Sequence, residues 1–167
     1  MYDPIRVLRT LNHHDVRYLV IGGYAAGILG APVMTNDLDI CYERSPENMG
    51  RLASALQELG ATLRVAGVDE DLPFVLDGRT LAAGDSFTFS TDAGGVDVLA
   101  TPSGTGGFRD LDAAASAYDL GEGLVVRVTS LDDLIRMKEA SGRPKDQIHL
   151  HVLAVLREAI AEAGGSP

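Results

Sequence analysis

The spacing of apolar residues predicts five elements in the first 60 residues. Apolar residues three or four positions apart indicate helices, whereas short apolar runs and strict alternation indicate strands. On that basis we expect helices over about 4–15, 24–29 and 46–59, and strands over 18–21 and 37–42. In the strand over 37–42 every second residue is polar, so one face of this strand is polar and the other is apolar.

The rest of the chain continues with strands and helices in mixed order. A strand is expected over 62–66. Two alternating segments, 86–90 and 96–99, flank the turn-forming residues 92–95 and predict a β-hairpin. Further helices are expected over 108–117, 130–140 and 147–163, and a further strand over 124–128. The order predicts an α/β (α+β) fold, a small mixed β-sheet with flanking helices and a helical C-terminal segment at about 130–163.

Composition limits the class of protein. The chain has 167 residues, 46% of them hydrophobic and 23% charged, which fits one folded domain spanning 1–167. Its net charge of −10 makes non-specific binding to membranes or nucleic-acid phosphates unfavourable. The single cysteine, Cys41, excludes an intrachain disulfide. We see no basic-then-apolar leader and no long apolar run, and so expect a cytoplasmic protein without a membrane partner.

Three aspartates are the candidate catalytic residues. Asp37 and Asp39 lie two apart on a predicted strand, so their carboxylates point to the same face. Asp97 lies between two valines on a later strand. Neighbouring carboxylates repel one another unless a cation lies between them, and a hard cation such as Mg²⁺ prefers oxygen ligands. If the strands are adjacent, the three acids can hold two metal ions; the alternative is an ordinary solvated strand face.

Paired glycines precede the first two aspartates. Gly22 and Gly23 end the first predicted strand and precede a short helix. Residues without side chains allow a backbone to approach phosphate groups closely, but the same pair also suits a tight turn. The order of strand, glycine pair, helix and paired aspartates favours a phosphate site.

Three segments together resemble the polymerase-β-type nucleotidyltransferase superfamily: Leu19-Val20-Ile21-Gly22-Gly23, Thr35-Asn36-Asp37-Leu38-Asp39-Ile40 and Gly95-Val96-Asp97-Val98-Leu99. The resemblance covers about residues 17–100, the expected core. It implies the nucleotidyltransferase fold, an NTP substrate and two Mg²⁺ ions. It also implies that Asp37, Asp39 and Asp97 are the catalytic, metal-binding residues, with Asp97 able to act as general base.

The glycine pair departs from the pattern of many members of that superfamily. Gly23 stands where they have a serine that touches the nucleotide phosphates. The resemblance therefore implies that backbone N–H groups of Gly22 and Gly23, helped by Thr35, bind the nucleotide here.

The segment 130–146 resembles the part that follows the core in AbiEii-like bacterial nucleotidyltransferases. Several of those are toxins of toxin–antitoxin pairs, and some transfer nucleotides to tRNA. The resemblance implies tRNA or protein as acceptor and a cognate antitoxin as partner. Small aminoglycoside nucleotidyltransferases have the same layout, and the acidic charge favours such a small polycationic acceptor. A third alternative is a catalytically silent NTP-binding module.

Basic residues are concentrated in the same segment. Five of the 14 lie within 127–145, namely Arg127, Arg136, Lys138, Arg143 and Lys145. Because a lysine ammonium is a compact partner for phosphate, we expect Lys138 and Lys145 to bind the nucleotide, assisted by Arg143. With a tRNA acceptor the segment would be its footprint; the alternative is an ordinary basic helix end. Asp146 is expected to orient Lys145 or to lie on the surface.

Overall fold

A computed structural model describes residues 1–68 and 74–164 of the chain. The helices in these residues are α1 (Pro4–His13), α2 (Gly22–Ile28), α3 (Pro46–Glu58), α4 (Gly78–Ala83), α5 (Phe108–Asp112), α6 (Leu131–Ser141) and α7 (Pro144–Glu162). The strands are β1 (Tyr18–Ile21), β2 (Asp37–Tyr42), β3 (Thr62–Leu63), β4 (Ser86–Thr91), β5 (Gly94–Leu99), β6 (Ser116–Asp119) and β7 (Val125–Val128).

The strands form one mixed sheet in the order β3-β4-β5-β2-β1-β7-β6. Strand β2 is parallel to β5 and antiparallel to β1, and β1 is parallel to β7. The outer pairs, β3 with β4 and β6 with β7, are antiparallel. The predicted α+β fold with a mixed sheet and a helical C-terminal segment is therefore confirmed.

Local sequence signals explain where several helices begin. The side chains of Asp3, Ser45 and Ser130 each accept a hydrogen bond from the backbone N–H three residues later, at 3.0, 3.2 and 3.1 Å. Such N-caps satisfy backbone donors that the first helical turn leaves free. The helices then bury their apolar faces, and the central strands are covered as well, with Leu38, Ile40, Val96 and Val98 fully buried.

Two predicted elements differ from the structure: the helix over 108–117 and the strand over 62–66. The predicted helix over 108–117 ends at Asp112, and Ser116–Asp119 instead forms the edge strand β6. Arg127 on β7 donates to the Asp112 carboxylate at 2.9 Å and to the Asp112 backbone carbonyl at 3.2 Å, which holds the helix end against the sheet. Pairing with β7 thus overrides the helix propensity of the alanines between them. Strand β3 is only two residues long, against five predicted.

Within the described ranges, none of the helices has both the length and the hydropathy needed to cross a bilayer.

Candidate active site

The three aspartates lie on one face of the sheet. Strands β2 and β5 are adjacent and parallel, and their register places Asp39 directly beside Asp97 and Asp37 beside Gly95. The residues between them along each strand point into the core on the other face. The pairing of β2 with β5 therefore brings Asp39 and Asp97, which are far apart in the sequence, side by side on the same face of the sheet.

Asp39 lies against the start of α2. A Cβ atom on Gly22 would be 2.1 Å from Oδ2 of Asp39, so only a glycine leaves room for the carboxyl group. The pKa of Asp39 is raised to about 8, mainly by burial. A hydrogen bond to Asp97 and the negative charge of Asp97 raise it further. The positive charge of Lys138 opposes this rise in pKa. The carboxyl group of Asp39 is therefore harder to ionise than an exposed aspartate.

Asp37 is turned away from that pair. Its Oδ1 occupies the space above Gly95, 2.0 Å from where a Cβ atom would lie. Its Oδ2 is 3.8 Å from Nη2 of Arg64, and both side chains are about half exposed, at 40% and 49%. Consequently, in the part of the chain that the structure describes, no three acidic, histidine or cysteine side chains form a converged metal site.

The donor set nevertheless fits a hard divalent cation. Oδ1 of Asp97 is buried and lacks a hydrogen-bond partner among the described residues. Asp39 beside it is a desolvated carboxyl group that a cation would hold in the charged form. The ion pair of Asp37 with Arg64 is long and exposed, so it restrains the Asp37 side chain only weakly. Oxygen ligands of this kind are those that Mg²⁺ prefers.

A cleft of about 280 Å³ opens over Asp39 and Asp97, between the sheet and α6. It is lined by Ile21, Gly22, Asp39, Ser86, Thr88, Asp97, Leu99, Pro102, Ser103, Leu134, Met137, Lys138, Ser141 and Arg143. Of the predicted nucleotide-binding residues, the cleft contains Gly22, Lys138 and Arg143. Lys145 is exposed in the first turn of α7 and does not line the cleft.

Asp146 organises the basic wall of the cleft. Its side chain is fully buried and accepts hydrogen bonds from Lys138 Nζ at 3.0 Å, from Arg143 Nε at 2.9 Å and from the Ser141 hydroxyl. Burial raises the pKa of Asp146, but these three partners outweigh burial and hold it below the usual range. The expectation that Asp146 lies on the surface or orients Lys145 is wrong: it binds Lys138 and Arg143. The pair of Arg143 and Asp146 could have been predicted from the sequence, because residues three apart at the start of a helix lie next to each other.

Two of the other three basic residues of the segment 127–145, Arg127 and Arg136, are also paired, whereas Lys145 is exposed. Arg127 binds Asp112 at 2.7 Å, and Arg136 binds Asp110 at 3.0 Å and Asp133 at 3.1 Å. Four of the five basic residues in this segment therefore form ion pairs with aspartates. These guanidinium groups do not form the unpaired basic patch that a nucleic-acid footprint requires.

Gly23 and Thr35 line a second, shallower groove of about 500 Å³ beside the cleft, together with Tyr2, Tyr24, Gly27, Ile28, Val33 and Met34. The Thr35 hydroxyl donates to the backbone carbonyl of Asp37 at 2.9 Å and so fixes the loop that enters β2. Neither Tyr2 nor Arg64 is among the residues predicted from the sequence. A signal existed for Arg64, which shares the strand period of Thr62; none existed for Tyr2.

No protein-family model matches the chain, and no curated protein matches its sequence. Solved structures do match its fold.

The lincosamide antibiotic adenylyltransferase LnuA, solved with lincomycin bound, is 14% identical with a TM-score of 0.62; the match covers 92% of this chain and 95% of that one. ANT(2″)-Ia, solved with adenylyl-2″-tobramycin, is 15% identical with a TM-score of 0.53, and 97% of each chain is covered. A Thermotoga maritima protein, provisionally described as a nucleotidyltransferase, is 17% identical with a TM-score of 0.56, covering 97% of this chain and 96% of that one. The chain therefore has the nucleotidyltransferase fold.

Proposed function

We propose that this protein transfers a nucleoside monophosphate from an NTP to a hydroxyl group of a small-molecule acceptor and releases pyrophosphate. The observation that carries the proposal is the register of β2 and β5, which places Asp39 beside Asp97 at the floor of a cleft with a basic wall. Two desolvated carboxyl groups opposite a paired lysine suit a reaction in which phosphate charge must be neutralised.

The protein's own side chains supply positioning and charge. Asp39 and Asp97, with Asp37 at the next position of the same face, would hold Mg²⁺, as two ions when NTP is bound. The bound metal would supply charge neutralisation at the reacting phosphate and lower the pKa of the attacking hydroxyl. Asp97 would accept the proton of that hydroxyl as general base.

The phosphates have partners on two sides. Lys138 lines the cleft, and its ammonium group is held at 3.0 Å from Asp146, so it would be a partner of fixed position for the phosphates. Arg143 lies at the mouth, with 57% of its side chain exposed. The backbone N–H groups of Gly22, which lines the cleft, and of Gly23, which lines the second groove with Thr35, would supply further donors to the phosphates. Lys145 remains a nucleotide-binding prediction, now from outside the cleft.

Two observations favour a small acceptor over tRNA or a protein. The arginines at 127 and 136 are paired with aspartates and do not present the charge that an RNA backbone needs. Two proteins of the same fold have small-molecule ligands: the lincosamide antibiotic adenylyltransferase LnuA has lincomycin bound, and ANT(2″)-Ia is in complex with adenylyl-2″-tobramycin. A toxin–antitoxin role, as in the AbiEii-like proteins, with tRNA or protein as acceptor, is the second candidate, and the test below includes tRNA.

The test uses the protein with Mg²⁺, each α-³²P-labelled NTP in turn, and three acceptor groups: lincosamides, aminoglycosides and total tRNA. We expect a labelled small molecule and one pyrophosphate per transfer. Asp39→Asn should lower the rate by about 100- to 1000-fold or more, because the substitution removes charge where the reaction needs it. Asp132→Asn is the matched control, since this aspartate is 72% exposed on α6 and should leave the rate unchanged.

Two results would contradict the proposal. Label in tRNA alone would overturn the acceptor class and favour the toxin-like alternative. If no NTP binds or is consumed with any acceptor, nucleotidyl transfer itself is wrong. NTP binding without Mg²⁺ dependence or turnover would instead indicate the silent binding module.

A further inference from the structure

Tyr2 is held firmly beside the candidate site although it lies at the start of the chain. The backbone N–H of Asp3 donates to the carbonyl of Ala93 at 2.8 Å, and the Asp3 side chain caps α1. The Tyr2 ring packs on Gly94, where a Cβ atom would be 3.1 Å from both Cα and Cδ2 of Tyr2. Tyr2 is thus fixed between the first helix and the turn that joins β4 to β5.

The hydroxyl group of Tyr2 is a donor without an acceptor. Its oxygen is buried and makes no hydrogen bond to the described residues. Burial raises the pKa of Tyr2 above its usual range, and Tyr24, Asp39 and Asp37 add to the effect. The hydroxyl therefore keeps its proton, and a buried O–H without a partner is uncommon in folded proteins.

Tyr2 shares its groove with Gly23 and Thr35. A Cβ atom on Gly23 would lie 3.0 Å from Cβ and 3.3 Å from Oγ1 of Thr35, so Thr35 occupies the space that a side chain at position 23 would need. The proton of the Thr35 hydroxyl is already donated to the Asp37 carbonyl. Among the hydroxyl groups of Tyr2 and Thr35, only that of Tyr2 has a proton left to donate.

We propose that the Tyr2 hydroxyl donates a hydrogen bond to a phosphate oxygen of the bound NTP, which makes Tyr2 a nucleotide-binding residue. The inference rests on the proposed nucleotidyl transfer. A phosphate oxygen is the acceptor that fits best, because it carries no proton and the groove is continuous with the glycine pair expected to approach phosphate. The lining of the groove contains no charged side chain that could supply the acceptor instead.

The experiment compares wild type with Tyr2→Phe, which removes one oxygen atom and keeps the ring that packs on Gly94. Binding of an α,β-methylene NTP analogue and of inorganic tripolyphosphate is measured by calorimetry with Mg²⁺ present. We expect Tyr2→Phe to weaken both by about tenfold, the loss of one hydrogen bond to a charged group. The ligand-free variant should melt at the same temperature or higher, because the substitution removes an unsatisfied donor. Tyr118→Phe on β6 is the control and should change neither.

The outcomes separate this inference from the proposed function. Unchanged affinity of Tyr2→Phe for both ligands overturns the inference and leaves nucleotidyl transfer intact. Weaker binding of the NTP analogue with unchanged binding of tripolyphosphate also overturns it, since the hydroxyl would then contact the nucleoside. If wild type binds neither ligand, the proposed function fails first.

Discussion

The substitution Asp146→Asn tests whether the ion pairs of Asp146 with Lys138 and Arg143 stabilise the folded protein. The side chain of Asp146 is fully buried and has two cationic partners, of which Lys138 is only 16% exposed. Removing one partner of a buried ion pair costs about 3–5 kcal/mol, because the other charge stays buried without compensation. Arg143 is 57% exposed and adds less than about 1 kcal/mol. We therefore expect a loss of at least about 3 kcal/mol, or about 6–12 °C in Tm at this chain length.

Urea unfolding followed by circular dichroism measures this loss directly. The midpoint should fall while the slope with urea stays constant, which shows that the folded state remains compact. Asp132→Asn is again the matched control: its partner Arg157 is 3.5 Å away and both side chains are more than half exposed, so we expect a change below about 1 kcal/mol. A loss of less than about 1 kcal/mol for Asp146→Asn would show that the Lys138–Asp146 pair is not a buried anchor.

Two further predictions concern the carboxylates. Gly95→Ala places a methyl group 2.0 Å from the present position of Asp37 Oδ1, so transfer should fall more than about tenfold, a barrier change above about 1.4 kcal/mol, in the ³²P assay. Gly50→Ala, in open space on α3 and outside the lining of both the cleft and the groove, should keep full activity and gain about 0.5–1 kcal/mol of stability. Because the pKa of Asp39 is raised to about 8, the unfolded chain ionises first, and this group lowers stability progressively between about pH 4 and pH 8. Metal-free Asp39→Asn should therefore melt above wild type at pH 8 and together with it near pH 4; equal melting at both would contradict the raised pKa.

Most of the fold follows from local patterns in the sequence. Strands β1 and β2 have the predicted bounds, and the helices α1, α3 and α6 begin within one residue of their predicted starts, because helix-start signals act over three or four residues. Strand β6 could not be predicted, since its conformation depends on pairing with β7 and on Arg127 holding the end of α5. Such non-local contacts override helix propensity.

The residues of the candidate site could be proposed from the sequence, but the orientation and contacts of their side chains could not. Strand periodicity put Asp37 and Asp39 on one face and singled out Asp97 between two valines, and the resemblance implied that the three share one site. The sequence could not indicate that Asp37 turns over Gly95 towards Arg64, because that contact joins strands distant in the chain. The partners of Lys138 and Arg143 were also missed, since burial of Asp146 depends on how α7 packs against α6.

The most direct test of the account measures divalent-cation binding at the three aspartates. Mn²⁺ is titrated into the protein with a non-hydrolysable NTP analogue and followed by electron paramagnetic resonance, for wild type, Asp39→Asn, Asp97→Asn and Asp132→Asn. We expect two bound Mn²⁺ ions in wild type and in Asp132→Asn. In Asp39→Asn and Asp97→Asn the affinity for Mn²⁺ should be at least about tenfold lower, a difference in binding free energy of about 1.4 kcal/mol or more. Wild-type affinity and stoichiometry in both Asp39→Asn and Asp97→Asn would contradict it.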